Sequence, residues 1–217
     1  MKKIAVVLSG CGFLDGSEIT ESVSLLIALH QAGAEVSCFA PNIEVPAVNH
    51  ASKKPLAENR NLLEESARIA RGTIHSLDTL RVSDFDALAF PGGYGAAKNL
   101  SNWAEKGAQC EVLPDVKRVI LDFYSESKPI AACCIAPVLL ARILGDKNVT
   151  LTIGDDTETA GEIKKTGATH EECPVDDYIS DRENKIVTTP AYMYDNAKPH
   201  EVFKGIAGLA HELVEWA

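Results

Sequence analysis

Two adjacent cysteines, Cys133 and Cys134, stand in the stretch KPIAACCIAPVLL, residues 128–140. Ala132-x-Cys134-x-Ala136 sets a thiol between small residues, where an apolar run gives way to a helix opened by Pro137. A sharp strand-to-helix turn crowds its own backbone and accepts only small side chains on either side, which is the logic of a nucleophile elbow. The spacing makes Cys133 the last residue of a strand, facing into the sheet, and puts Cys134 in the turn. Proline suits the first helical turn that follows. A thiol so placed faces free amides and the positive end of a helix. Both lower its pKa, and the amides can hold an oxyanion. Two buried cysteines are also ordinary packing residues, and this segment alone leaves both readings open. A disulfide between the two neighbours would be strained and is not expected.

Two other segments carry unusual residues. PGGYGAAKNL, 91–100, places Gly92 and Gly93 directly after an apolar run. A glycine pair there permits positive φ and close backbone approach, as an oxyanion hole or a plain tight turn requires. DGSEITES, 15–22, offers three acids. Asp15 is placed to cap a helix with Glu18 as its capping-box partner. That leaves Glu21 free to share a proton with a sulfur, or to sit on a solvated helix face. Helical phase puts Glu21 just outside the apolar arc and favours burial of Glu18. The preceding GCGFLDG spaces its glycines nearly as a dinucleotide-binding turn does, but no acidic residue ends the next strand, where CFAPN stands.

The elements that must position these residues alternate. IAVVL (4–8) reads as a buried strand. A helix over about 17–31 follows, with Ile19, Val23, Leu26, Ile27 and His30 at helical spacing and Gly33 as its stop. EVSCFA (35–40) is a strand, 42–58 an irregular polar excursion, and 61–72 a helix with its own terminal glycine. FDALAF (85–90) is a strand, 114–125 a helix, PIAACC (129–134) a strand and 136–144 a helix. VTLTI (149–153) is a strand and 156–167 a helix; YISD and KIVTT form a hairpin through RENK, and 200–215 is a closing helix. Strands that are continuous apolar runs, alternating with helices, specify an α/β fold: a largely parallel sheet covered on both faces, with a small β-hairpin excursion. No linker or repeat divides residues 1–217, which read as one domain. In such sheets ligands sit beyond the carboxyl ends of the strands, the edge from which the three unusual segments leave.

Composition narrows the partners. Of 217 residues, 46% are hydrophobic and 24% charged, with a net charge of −10. That balance argues against nucleic acid or an anionic membrane as partner, since both need a basic face. The six basic residues between Lys53 and Arg81 are interleaved with acids and read as a solvated face. MKKIAVVLSG has too short an apolar run for a signal peptide, so a cytoplasmic protein is expected. Six cysteines without a C-x-x-C pair, and His170 with Cys173 unmatched by a second pair, point to no metal.

FPGGYGAAKNL followed by KPIAACCIAPVLLA resembles the PfpI-like superfamily. LSGCGFLDGSEITE, GAAKNLSN, TLTIGDD, CPVDD and NKIVTTPAYM narrow the likeness to the ElbB-like family of isoprenoid biosynthesis proteins with an amidotransferase-like domain. The resemblance runs over essentially the whole chain. It implies a three-layer flavodoxin-like sandwich related to class I glutamine amidotransferases, and a cysteine-dependent glyoxalase that turns a small aldehyde such as glyoxal into glycolate without a cofactor. It also implies a homodimer. By motif, the nucleophile falls on Cys134, its companion acid on Glu21, and the oxyanion amides on Gly93 and Ile135, with Gly92 beside them. The superfamily's histidine falls on Ile135 or near Gly154, so neither position matches, and His170 is the one histidine left to test. A redox-sensing or regulatory protein with an oxidisable Cys134 is the alternative expectation.

Overall fold

The computed structural model describes residues 1–217. The first apolar run is β1 (Lys3–Val7), followed by α1 (Ile19–Gln31) and β2 (Glu35–Ala40). Next come β3 (Glu44–Asn49), β4 (Lys54–Asn61), α2 (Leu62–Ile69) and the two-residue β5 (His75–Ser76). The middle of the chain forms β6 (Ala87–Phe90), the short helices α3 (Tyr94–Lys98) and α4 (Trp103–Lys106), α5 (Pro114–Ser125), β7 (Ile130–Cys133) and α6 (Pro137–Leu144). It ends with β8 (Thr150–Leu151), α7 (Thr157–Lys165), β9 (Thr169–His170), β10 (Ile179–Asp181), β11 (Ile186–Thr189) and α8 (Pro199–Trp216).

Seven strands form one sheet in the order β10-β11-β7-β6-β1-β2-β5. Every pairing is parallel except the β10–β11 hairpin. Strands β6 and β7 are wholly buried apolar runs, and so is β1 after its exposed Lys3, as expected of a sheet covered on both faces. Leu25 and Leu29 of α1, with Ile206, Leu209 and Leu213 of α8, fill one face. Val119 and Phe123 of α5, with Leu139, Leu140 and Leu144 of α6, fill the other. Each such side chain contributes about 1.5–3 kcal/mol by leaving water. This is the three-layer α/β architecture expected from the strand pattern. No helix is long and apolar enough to cross a membrane.

Register aligns three strand ends. Phe90 pairs with Ala132, and Cys133 with Thr189. The carboxyl ends of β6, β7 and β11 therefore lie side by side, and PGG, CCI and TPA leave the sheet together.

Four expectations need correction. Residues 42–58 are not irregular: β3 and β4 pair antiparallel with a register shift between Pro46 and Val48. The polar composition disguised them, because β4 is almost wholly exposed and carries no apolar alternation. The strand expected at 149–153 shrinks to two residues, which pair with β9 outside the main sheet. Helix α2 ends with Arg71, not a glycine, in the left-handed position (φ 54°), and Gly72 follows at φ 84°. The face of α1 is also turned from its apolar periodicity. Ile19, Val23 and Ile27 are 48%, 41% and 46% exposed, while Glu21, Ser24, Leu25, Ala28 and Leu29 are buried. Packing against α8 favours the small residues Ser24 and Ala28, and Glu21 is drawn inward by partners distant in sequence.

Candidate active site

Cys133 ends β7 with 0% exposure, and Cys134 occupies the turn with φ 58° and 7% exposure. A left-handed backbone costs a non-glycine residue about 1–2 kcal/mol. Main-chain hydrogen bonds hold it: Cys134 N–H donates to Thr189 O at 2.9 Å and Ala136 N–H to Cys133 O at 2.9 Å. The Ala132 and Ala136 flanks are fully buried, as the crowding of this turn demands.

Glu21 comes to this turn from α1. Its carboxyl is wholly buried. Oε2 accepts from Gly92 N–H at 3.0 Å and Oε1 accepts from Tyr192 N–H at 3.1 Å. Burial pushes the carboxyl pKa up to about 8, aided by the nearby Glu18 charge and opposed by the Tyr192 amide, the neighbouring Cys134 thiol and the Gly92 amide. A buried carboxyl so shifted is able to exchange a proton near neutrality.

Gly92 and Gly93 serve close approach. A Cβ on Gly92 would lie 2.3 Å from Cys134 Cβ and 2.5 Å from Glu21 Oε2. Gly93 has φ 95°, and a Cβ there would meet Gly16 O at 2.3 Å. The amides of Gly93 and Ile135 both act on the Cys134 sulfur and lower its pKa. A carbonyl oxygen bonded to that sulfur's substrate carbon would find the same two donors.

The expected fall of the Cys134 pKa does not occur. The two amides lower it, but burial and the Glu21 charge raise it well above 9.0. Cys133 rises too, by burial first. The Cys134–Glu21 pair titrates as a unit, with protons retained into the alkaline range.

Glu18 is the N-cap of α1, and Asp15 is not. Its Oε2 accepts from Glu21 N–H at 2.6 Å, and its own N–H donates to Gly92 O at 2.9 Å. Asp15 instead accepts from Val48 N–H at 2.6 Å, tying the first loop to β3. Glu18 is half-buried and its carboxyl pKa is raised by burial. Thus Glu18, and not Asp15, bridges the glycine pair to the helix that carries Glu21.

His170 lies in β9, outside the main sheet, where its Nε2 accepts from Ile153 N–H at 3.3 Å. Burial lowers its pKa. The groups acting on the Cys134 sulfur come from Glu21, Gly93 and Ile135, so the structure does not bring His170 into the cluster. The GCGFLDG turn is also spent internally. Ser9 N–H donates to Ser17 Oγ, Gly10 N–H to Ser66 Oγ and Gly12 N–H to Ser17 O. Those amides leave no cradle for a phosphate.

Tyr192 and Thr189 escaped sequence reasoning because they act through main-chain atoms, which any residue supplies. Ala191, with φ 44° after Pro190, turns the chain so that the next amide reaches Glu21. The only signal was PAYM directly after an apolar strand.

Residues 2–192 match the DJ-1/PfpI family. Human glutamine amidotransferase-like class 1 domain-containing protein 3, mitochondrial, is 43% identical over 98% of this chain and 82% of its own length. The rat ES1 protein homolog, mitochondrial, is 42% identical over 98% and 83%. A crystal structure of an isoprenoid biosynthesis protein with amidotransferase-like domain from Ehrlichia chaffeensis superposes with a TM-score of 0.93. It is 40% identical and covers 100% of this chain and 99% of its own.

Proposed function

Because the chain belongs to the DJ-1/PfpI family, we propose that it is a cofactor-independent, cysteine-dependent glyoxalase-type enzyme acting on glyoxal or a similar small 2-oxoaldehyde. One observation carries this reading: Cys134 sits in a left-handed turn directly beside the buried Glu21 carboxyl, the two separated only by the space a Cβ on Gly92 would fill. Sulfur adds to one aldehyde carbon, and the thiol proton passes to the new oxygen through Glu21, giving a hemithioacetal. Glu21 then takes the C–H proton from that carbon and returns a proton to the neighbouring carbon, leaving a glycolyl thioester. Water cleaves the thioester, restoring the thiol and releasing glycolate, so glyoxal plus water balances glycolic acid. The amides of Gly93 and Ile135 hold the oxyanion during addition and hydrolysis. Glu21 supplies both proton transfers in place of the histidine.

The test is carbon-13 NMR of labelled glyoxal incubated with the protein. Glycolate is expected with the native chain and not with Cys134→Ser; equal turnover by the serine variant would sink the proposal. A second reading, oxidation sensing at Cys134, is favoured by the raised pKa of Glu21. A carboxyl that keeps its proton can donate to a sulfinate. Mass spectrometry after modest peroxide separates the two: a Cys134 peptide that stays reduced removes the sensing role.

A cytoplasmic location remains the proposed one; the six free thiols suit a reducing compartment. The relatives described above carry a mitochondrial name. A link to isoprenoid biosynthesis rests on likeness to the Ehrlichia chaffeensis protein alone. The exposed Ile19–Val23–Ile27 stripe of α1 supports a homodimer. Val23→Glu would then convert it to monomer in light-scattering measurements.

A further inference from the structure

We propose that a cavity between α1, α2 and β2, separated from β7 by strands β6 and β1, is a binding site for a small amphipathic acid. The site would take one carboxylate or phosphate head on a short aliphatic body. The cavity has a volume of about 280 Å³, room for about nine heavy atoms at about 30 Å³ each. Leu26, Val36, Ile69 and Ala70 give it apolar walls, with Cys38 at its buried floor.

Its one permanently charged side chain is a guanidinium, and its polar side chains are wholly or partly exposed to solvent with donors to spare. Arg71, His30 and His75 line it, and no acidic residue does, in a chain of 31 acids and 21 bases. The preceding arginine, Arg68, pairs with Glu65 at 3.0 Å, whereas Arg71 forms no ion pair or hydrogen bond. His30 Nδ1 is engaged by Leu26 O at 2.8 Å, leaving Nε2 free. His75 rests beside the Phe39 ring and makes no side-chain hydrogen bond. Ser37 and Thr73 add two hydroxyls with no partner in the fold. An apolar cavity with a few convergent polar groups is the general form of a small-molecule site. A guanidinium with imidazoles and hydroxyls around it is the donor set of an anion.

The backbone supplies an independent sign. Helix α1 ends with Gly33 in the left-handed position, which is what helix ends favour. Helix α2 places Arg71 there, although glycine is the next residue. Lys53 and Lys185 take the same left-handed backbone elsewhere, but of the three only the Arg71 side chain lines this cavity, which has no acid.

Amide NMR of the nitrogen-15-labelled full chain tests this with sodium hexanoate, hexyl phosphate, hexan-1-ol and acetate as probes. Hexanoate or hexyl phosphate should shift the amides of 36–38 and 70–75 saturably, and the tighter of the two identifies the head group. Hexanol and acetate should bind at least tenfold more weakly. Arg71→Asn, which keeps a residue tolerant of positive φ, should weaken the acid at least tenfold while leaving the rest of the spectrum in place. His30→Gln should weaken it severalfold. Hexanol binding as well as hexanoate, unchanged affinity in Arg71→Asn, or no saturable shift with any acid would each overturn the proposal.

Discussion

Cys134, in the turn after β7, and Cys38, on β2 of the same sheet, are both nearly buried thiols, yet their surroundings differ in kind. Around Cys134 every polar group is engaged. Glu21 has two amide donors and lies beside the thiol, the glycine pair is locked to Glu18, and Thr189 holds the turn. Around Cys38 the polar groups stand free, and the thiol meets mostly apolar atoms; its pKa of about 11 comes from burial alone. A closed, satisfied cluster preorganises charge for a reaction, because no reorganisation is needed when charge develops. An open set of unspent donors beside an apolar wall is instead complete only when a ligand supplies the acceptors. Burial of sulfur is common to the two, so it is the company of the sulfur that separates chemistry from binding.

The comparison breaks most sharply at the cysteines. Cys134→Ser should remove all measurable glycolate formation, whereas Cys133→Ala should change turnover by no more than about threefold, since a wall residue makes no bond to substrate. If both variants lose activity while folded, the separation of roles between the neighbours is wrong. Glu21→Gln should slow turnover by about 10²–10⁴, the range of a lost general acid–base, with the fold retained in its circular dichroism.

Gly92→Ala should cost about 3 kcal/mol or more in chemical denaturation, because its Cβ would overlap Cys134 and Glu21 in a site that cannot yield. An alanine at Gly161, where a Cβ meets nothing within 4 Å, is its control and should leave stability nearly unchanged or higher. A smaller effect comes from pH. The Glu21 carboxyl holds its proton to about 8 in the fold, against a reference value of 4.5. Folding therefore favours the protonated form, and that stability is full below about pH 4.5 and lost as pH rises through 8. Denaturation midpoints should fall over that window by an amount worth a few kcal/mol, and Glu21→Gln should flatten the decline. Least of all, Arg71→Asn should leave glyoxal turnover within about twofold, because its cavity touches none of the reacting groups.

Much of the fold was legible because its information is local. Continuous apolar strands, helix-ending glycines and the hairpin at RENK need only neighbours in sequence. Failures came where a polar surface disguised order, as in β4, or where distant contacts overrode periodicity, as on α1. The turn at Cys134 was legible for a similar reason: Ala132, Cys134, Ala136 and Pro137 describe a crowded junction by themselves. Glu18's capping role went unread because Asp15 answers to β3, a partner found only in three dimensions.

By itself, then, the sequence determined the alternation of elements, the small residues around Cys134 and the glycine pair that lets another chain segment approach. These are steric and periodic properties carried by side-chain size and spacing. Only the tertiary structure decided that Glu21 faces inward, that Tyr192 lends it an amide, that the Cys134 pKa rises, and that Arg71 stands at a cavity without an acid. Those properties depend on desolvation and on partners tens of residues away, and neither is written in any local stretch of the chain.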